Sequence, residues 1–368
     1  MEALRNRPVA SRAQLQEDTG LSAASISRAL AQLRRDGLVP ADPPPGTGVG
    51  RPPRIVRFQS SAAHVIGIDA GGSNIRVQLA DLEGRPFARS TVRLRASKSS
   101  AAVLGRIAEV ALGLVEQTGA SPVAAAAGVS GIVDAAAGRV LLSPDLPGLN
   151  SVDVASSLSR RLQMPVAIDN DDLLAAAGEA AFGAAEGCTD VVFLSLGLGL
   201  GAGLLVGGRP VRGASSSAGA IAYFGPGRLD DRASGRAIPL RYAERAGKSP
   251  PRSAERVFEL AEAGDEIARA VVDDVVEAFA ELATDVGGLL DPQVIVLGGG
   301  IARGQPSLVK KVSRRIERSL PFPPRVVASQ LGEDAVALGA ASLALSLGQR
   351  RLAGAAPEPG RLGALEFA

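Results

Sequence analysis

One cysteine and one histidine are all that this chain of 368 residues offers a soft metal. A four-ligand Cys/His zinc cage cannot be built from them, and an intrachain disulfide is excluded. Tryptophan is absent and aromatics make up 3% of the chain, so the core has to be filled by Ala, Val and Leu. No apolar run approaches the roughly 18 residues of a membrane-spanning helix, and the N-terminus carries no apolar signal core. The expectation is a soluble, cytoplasmic protein with no membrane partner.

Apolar residues make up 46% and charged residues 21%, a globular composition, and the length admits two or three compact units. The net charge of +2 conceals an asymmetry. Residues 1–60 hold nine Arg against five acids, so the remainder is slightly acidic. A basic unit on a near-neutral body suits a nucleic-acid-binding head, although a solvated basic arm has the same charge.

Local signals in that head agree with the first reading. Ser11 and Gln14 form a capping-box pattern, Gly20 breaks the chain, and Ser22 can cap a second helix over Ala23–Asp36. Ile26, Leu30 and Leu33 fall on one face of it. Gly37 is a stop signal. Two short helices around a Gly turn follow the helix-turn-helix plan. The candidate DNA-contacting residues are Ser22, Ala24, Ser25, Ser27 and Arg28 on or before the second helix. Leu38–Val39 and Ile55–Phe58 are expected as two wing strands. The Pro/Gly-rich loop between them carries Arg51 and Arg54, candidates for phosphate or minor-groove contact.

The body repeats a plan. Val65–Ala80 reads as strand, Gly turn, strand, and Val191–Val206 reads the same way. Such turns can aim backbone N–H groups at phosphate oxygens. Asp69 stands at the first strand's end, a suitable ligand for a Mg²⁺–phosphate. Ala263–Leu290 is expected as one long helix, followed by a strand over Val294–Leu297 and three glycines. These are nucleotide-side features, or tight turns with no ligand.

Between the hairpins lies Pro165–Gly183, where Asp169, Asn170, Asp171 and Asp172 separate a strand from a helix expected over Leu173–Ala185. Two readings stay open from position alone. The four can cap the helix and complement its dipole, or form a polar knot with one carboxylate free as a base.

Taken together, the motifs resemble the ROK family of sugar kinases and sugar-responsive repressors. GIDAGGSNIRVQLAD, GVSGIVD, AIDNDDLLAAAGEAAFG, SLGLGLGAGLLVGG and LDPQVIVLGGGIA occur in that family's order. SRAQLQEDTGLSAASISRALAQLRRDGLV followed by GRPP resembles the head of its repressors, with a first helix around Glu2–Arg7. The resemblance spans about residues 5–348. It implies an α/β fold: an actin-like ATPase (ribonuclease H-like) body of two lobes behind a winged helix-turn-helix. The domains expected are 1–60 (head), 61–170 with a C-terminal helix over 333–348 (first lobe), 171–332 (second lobe and dimerisation) and 349–368 (flexible tail).

The resemblance implies that Asp171 matches the kinase base. It makes Asn150, Asn170, Asp171, Ala220, Tyr223 and Asp230 the candidate ligand residues. Asp69, Gly71, Gly72, Ser73, Gly199 and Gly299 match a nucleotide site. The chain departs from the pattern at several of these. Leu173 replaces an Asn, and Leu198 replaces a hydroxyl residue of the second phosphate turn. Ala220 and Tyr223 stand where the family has a sugar-binding Glu and His. The Cys-rich zinc loop is shortened and lacks cysteine. Losing hydrogen bonds of about 1.5–3 kcal/mol each should weaken sugar binding by several kcal/mol. The expectations are therefore no zinc, no ATP–Mg²⁺ and no enzyme activity. The chain would be a regulator, most simply a repressor. It would bind double-stranded DNA at an inverted-repeat operator as a homodimer or dimer of dimers, with a sugar or derivative as possible effector. The alternatives are an ATP-dependent sugar kinase with a DNA-binding head and an effector-independent DNA-binding dimer. Asp169–Asp172 then reads mainly as the hinge of the cleft, with Asp171 a retained base.

Overall fold

The computed structural model describes residues 3–4, 7–40, 55–94, 99–223, 229–303 and 305–352. Strand β1 (Val9–Ser11) leads into helix α1 (Arg12–Thr19). The capping box is made in both directions: Gln14 N–H donates to Ser11 Oγ at 3.2 Å, and Ser11 N–H donates to Gln14 Oε1 at 2.8 Å. Gly20 ends the helix in the left-handed region. Helix α2 (Ala23–Arg35) is capped by Ser22 and buries Ile26, Leu30 and Leu33.

The wing strands require a correction. Strand β2 (Ile55–Arg57) pairs antiparallel with β1 and not with Leu38–Val39. The N–H groups of Leu38 and Val39 both bond to the Leu33 carbonyl, closing α2, so they have no donors left for a ladder. Both side chains are buried against α2 instead. Arg51 and Arg54 lie outside the described residues.

The body carries two five-stranded sheets. The first is built from β3 (His64–Ala70), β4 (Asn74–Asp81), β5 (Pro86–Arg93), helix α3 (Ser100–Thr118), β6 (Pro122–Val129), the small hairpin β7 (Ile132–Asp134) and β8 (Arg139–Leu142), helix α4 (Val154–Leu162) and β9 (Val166–Asn170). Its order is β5-β4-β3-β6-β9: an antiparallel hairpin extended by parallel strands. Helix α5 (Asp171–Phe182) then leads to the second sheet through β10 (Val191–Leu196), β11 (Leu200–Val206), β12 (Arg209–Pro210), α6 (Leu229–Ala233), α7 (Ala237–Ala246), α8 (Ala254–Glu262), α9 (Glu266–Leu290), β13 (Val294–Gly298), α10 (Gly300–Arg303), α11 (Pro306–Ser319), β14 (Arg325–Ala328) and α12 (Ala335–Leu352). Its order, β12-β11-β10-β13-β14, repeats the hairpin-plus-parallel plan.

Three helix boundaries differ from expectation for local reasons. Helix α9 starts at Glu266 and not at Ala263, because Gly264 turns the chain at φ +102 and Asp265 caps through the Ala268 N–H. Helix α5 starts at Asp171, since Asn170 is its cap. It stops at Phe182, where Glu179 takes up the Ala184 N–H. Helix α12 continues to Leu352, into the stretch expected as tail.

Helices α5 and α12 pack on each other between the sheets, α5 against β10 and β11 and α12 against β3 and β6. Small residues permit this. A Cβ at Gly339 would collide with the Leu174 carbonyl, and one at Gly178 with that of Ala335. Among the described residues no helix is long and apolar enough to cross a membrane.

Candidate ligand cleft and DNA-facing helix

The strand-to-helix corner at β9–α5 shows how four adjacent polar residues divide their work. Asp169 is buried and receives both Nε–H (3.0 Å) and Nη2–H (2.6 Å) of Arg212. Burial still pushes its carboxyl above the usual range, against the pull of that guanidinium. Asn170 is the cap: its Oδ1 accepts from the Leu173 N–H at 2.9 Å, while its Nδ2–H donates to the Gly131 carbonyl at 2.8 Å. With capping assigned to Asn170 and the structural ion pair to Asp169, the carboxylates of Asp171 and Asp172 are left to line a cleft.

That cleft has a volume of about 790 Å³ and draws walls from both sheets. Burial raises Asp171 well above a normal carboxyl, and the nearby charges of Asp172 and Asp69 raise it further. Asp172 is pushed up to about 6 by burial, against a lowering hydrogen bond from Ser195. A half-buried carboxylate with a raised pKa at a strand end has the chemistry of a general base.

The first Gly turn supplies Asp69, Gly71, Gly72 and Ser73 to the cleft, and Gly199 and Gly299 face it from the second sheet. Asp69 does not present a free carboxylate. Arg76, opposite it in the β3–β4 register, donates Nη1–H to Asp69 Oδ2 at 3.0 Å. Burial holds Asp69 at about 6 in spite of that partner. Asp230 lines the cleft too, and its Oδ1 accepts the Leu200 N–H at 3.1 Å.

Leu198, Ala220, Ala222 and Leu240 give the cleft apolar lining; Leu198 is 54% and Leu240 60% exposed. The candidate Asn150 is not brought to the cleft: its Oδ1 accepts the Ser143 N–H at 2.7 Å and shapes the loop before Asp145. Tyr223 ends a short 3-10 turn, and its side chain lies outside the described residues. A zinc cage does not fit the soft ligands present. The His64 ring packs on Phe87 and accepts the Ser121 N–H, whereas Cys188 receives Arg325.

Among the charged cleft residues that were not sequence candidates are Arg76, Asp145, Arg236, Arg303 and Glu333. Arg76 was legible in principle, since the turn's symmetry places it opposite Asp69. Arg236, Asp145 and Glu333 meet their partners only in the tertiary fold.

In the head, Ala24, Ser27 and Arg28 are exposed and Ser25 is half-buried, along the N-terminal half of α2. Ser22 and Ser25 are engaged locally: Ser22 caps α2, and Arg28 Nη2–H lies 3.5 Å from Ser25 Oγ.

The model of the ROK family matches residues 65–346. The chain belongs to the ROK family. The glucokinase of Thermotoga maritima is 31% identical over 307 residues, covering 76% of this chain and 96% of its own length. The xylose repressor of Bacillus subtilis is 26% identical over 363 residues, covering 94% of this chain and 93% of its own. A crystal structure of a ROK-family transcriptional regulator, described as a homologue of the E. coli MLC protein, superposes with a TM-score of 0.78. At 22% identity over 94% of this chain and 93% of that one, it establishes the shared fold.

These relatives overturn one expectation. The altered sugar motif suggested that the chain is not an enzyme, yet a ROK protein named as a glucokinase aligns along the whole body. Leu198 and Ala220 line the cleft. The Asp171 carboxylate is in the same cleft.

Proposed function

We propose that this ROK protein is a DNA-binding transcriptional regulator, in the first instance a repressor, acting in the cytoplasm as a homodimer on an inverted-repeat operator. The observation that carries the reading is the head. The glucokinase match leaves about a quarter of the chain uncovered, whereas the xylose-repressor match runs along nearly all of it. The head's two capped helices and its β1–β2 pair support a winged helix-turn-helix reading, in which α2 would be the recognition helix. Ala24, Ser25, Ser27 and Arg28 would face base edges from its N-terminal half. A two-fold dimer would set two such helices one or more DNA turns apart.

The body would sense a sugar or sugar derivative. Ala335 and Val336 of α12 line the cleft. Leu343 and Leu347, further along the same helix, belong to the buried cluster that includes Leu30, Leu38 and Val56 of the head. A ligand that binds one lobe arrangement more tightly would reposition the heads through this continuous core. Genome-wide mapping of binding sites tests the reading, followed by gel-shift titration of a recovered site. Arg28→Ala should weaken specific binding by about 1–3 kcal/mol. Recovery of no specific site would sink the proposal. Operator affinity indifferent to a wide sugar panel would leave the body a dimerisation role alone.

A second reading has its own support. The cleft keeps Asp171 with a raised pKa. It could accept the proton of a sugar hydroxyl as that oxygen bonds to a terminal phosphorus and the bridging P–O bond breaks. An ADP-release assay over a sugar panel tests this, and turnover that survives Asp171→Ala would exclude Asp171 as the base.

A further inference from the structure

A Mg²⁺–nucleotide needs one or two carboxylates with an open face toward the ligand, and at the first Gly turn Asp69 is the carboxylate that lines the cleft. In this chain that face is taken. Arg76 Nη1 lies 3.0 Å from Asp69 Oδ2, and its Nη2 lies 3.1 Å from Glu333 of the segment before α12. Glu333 in turn receives Arg303 of α10 at 2.7 Å. Asp69, Arg76, Glu333 and Arg303 thus form an alternating chain along the cleft wall, and all four line the cleft. Among the described residues, no three His, Cys, Asp or Glu side chains converge to hold a metal ion. With its carboxylate taken by Arg76, Asp69 does not fit a divalent cation, which needs one or two free carboxylates beside the phosphates and waters.

The residues present fit something else. The Arg76 side chain is 17% exposed and lines the cleft. One Nη1–H is used on Asp69 and one Nη2–H on Glu333, so the second hydrogens of these nitrogens, in a cleft also lined by Gly71, Gly72 and Ser73, can donate to a phosphate oxygen. We propose that Arg76 is a built-in cation that takes the divalent-metal position of this cleft, so that a phosphate-bearing ligand such as a nucleoside diphosphate binds there independently of metal. A metal–nucleotide would first have to separate Arg76 from Asp69. The inference concerns the body's cleft alone and stands or falls separately from DNA binding by the head.

The test is calorimetric titration of ADP into the full-length protein, with Mg²⁺ and with a chelator. Wild type should bind ADP with the same affinity in both, and absence of wild-type binding would overturn the proposal. Arg76→Ala and Arg76→Gln should become metal-dependent, with Mg–ADP binding tighter than ADP by about tenfold, the scale of one charge-assisted interaction. Arg76→Lys, which keeps the cation, should behave as wild type. Wild-type affinity that rises tenfold with Mg²⁺ would overturn the proposal without recourse to any variant. So would a folded Arg76→Gln protein that shows no metal dependence, or failure of every form to bind ADP. Melting curves of each variant identify those that fold, and the glutamine variant covers the case in which alanine leaves buried Asp69 too poorly supported.

Discussion

Arg236, just before α7, donates Nη2–H to Asp145 of the first sheet's loop at 3.0 Å while its Nε–H donates to the Leu198 carbonyl at 3.2 Å. One side chain thereby ties the second Gly turn to the opposite wall of the cleft. The guanidinium side chain is half exposed, so the pair contributes only about 0.2–1 kcal/mol and salt weakens it. That is little for global stability but enough to shift an open–closed equilibrium by a factor of about 1.5–5. Arg236→Ala should leave the melting temperature almost unchanged and increase the radius of gyration in small-angle scattering at low salt. Wild type in high salt should approach the variant. An unchanged radius at low salt would show that the pair does not hold the walls together.

The acid cluster makes stability depend on pH in a defined direction. Asp69 and Asp172 are pushed up to about 6, and Asp171 well above normal, principally by burial. Between the ordinary value of 3.8 and these raised values the folded protein binds more protons than the unfolded chain. The contribution of Asp69 and Asp172 is therefore favourable at acid pH and is lost as pH rises through about 6, and that of Asp171 runs in the same direction. Asp172→Asn removes one such charge. It should stabilise the protein at pH about 8 by on the order of 1–3 kcal/mol, with little difference from wild type near pH 4. Denaturant midpoints at the two pH values measure this, and a destabilised variant at the higher pH would refute it.

Residues close in sequence were largely legible, and residues joined by tertiary approach were not. The capping box at Ser11–Gln14 and the two hairpins follow from local chemistry, so the chain alone located them. The β1–β2 pairing was missed because nothing local marks Val9–Ser11 as a partner for Ile55–Arg57, while Leu38–Val39 had the right composition and no free donors. In the cleft, the positions of Asp69 and Asp171 could be read, but their electrostatic state could not. Asp69 meets Glu333, and Asp171 meets Asp69, across elements that only the fold assembles.

Glu179 holds α5 in place through the fold. It is fully buried, and it accepts from Ser329 Oγ–H at 2.5 Å, the Leu331 N–H at 3.0 Å and the Ala184 N–H at 2.8 Å. These donors fasten the helix that begins with Asp171 to the segment leading to Glu333. Glu179→Ala would strand several buried donors and should cost about 3 kcal/mol or more. Glu179→Gln keeps the volume but turns one acceptor into a donor, and it should cost less than the alanine change. Urea unfolding of the two variants measures the order, and equal losses would assign the effect to packing and not to acceptor capacity.

Two glycine substitutions separate close approach from helix propensity. Gly339 sits where α12 crosses α5, and a Cβ there would overlap the Leu174 backbone, which cannot move without shifting α5. Gly288 lies in α9 with no neighbour within 4 Å of a Cβ built on it. Gly339→Ala should therefore destabilise by about 1–3 kcal/mol through forced separation of the two helices. Gly288→Ala should stabilise by about 0.4–1 kcal/mol, since alanine is the better helix former and narrows the unfolded ensemble. Because α5 begins with Asp171, the Gly339 change should also disturb ligand binding in the cleft, and the Gly288 change should not. Matched melting and binding titrations check both halves. Stabilisation by Gly339→Ala would mean that the α5–α12 crossing is looser than the contact between Gly339 and Leu174 requires.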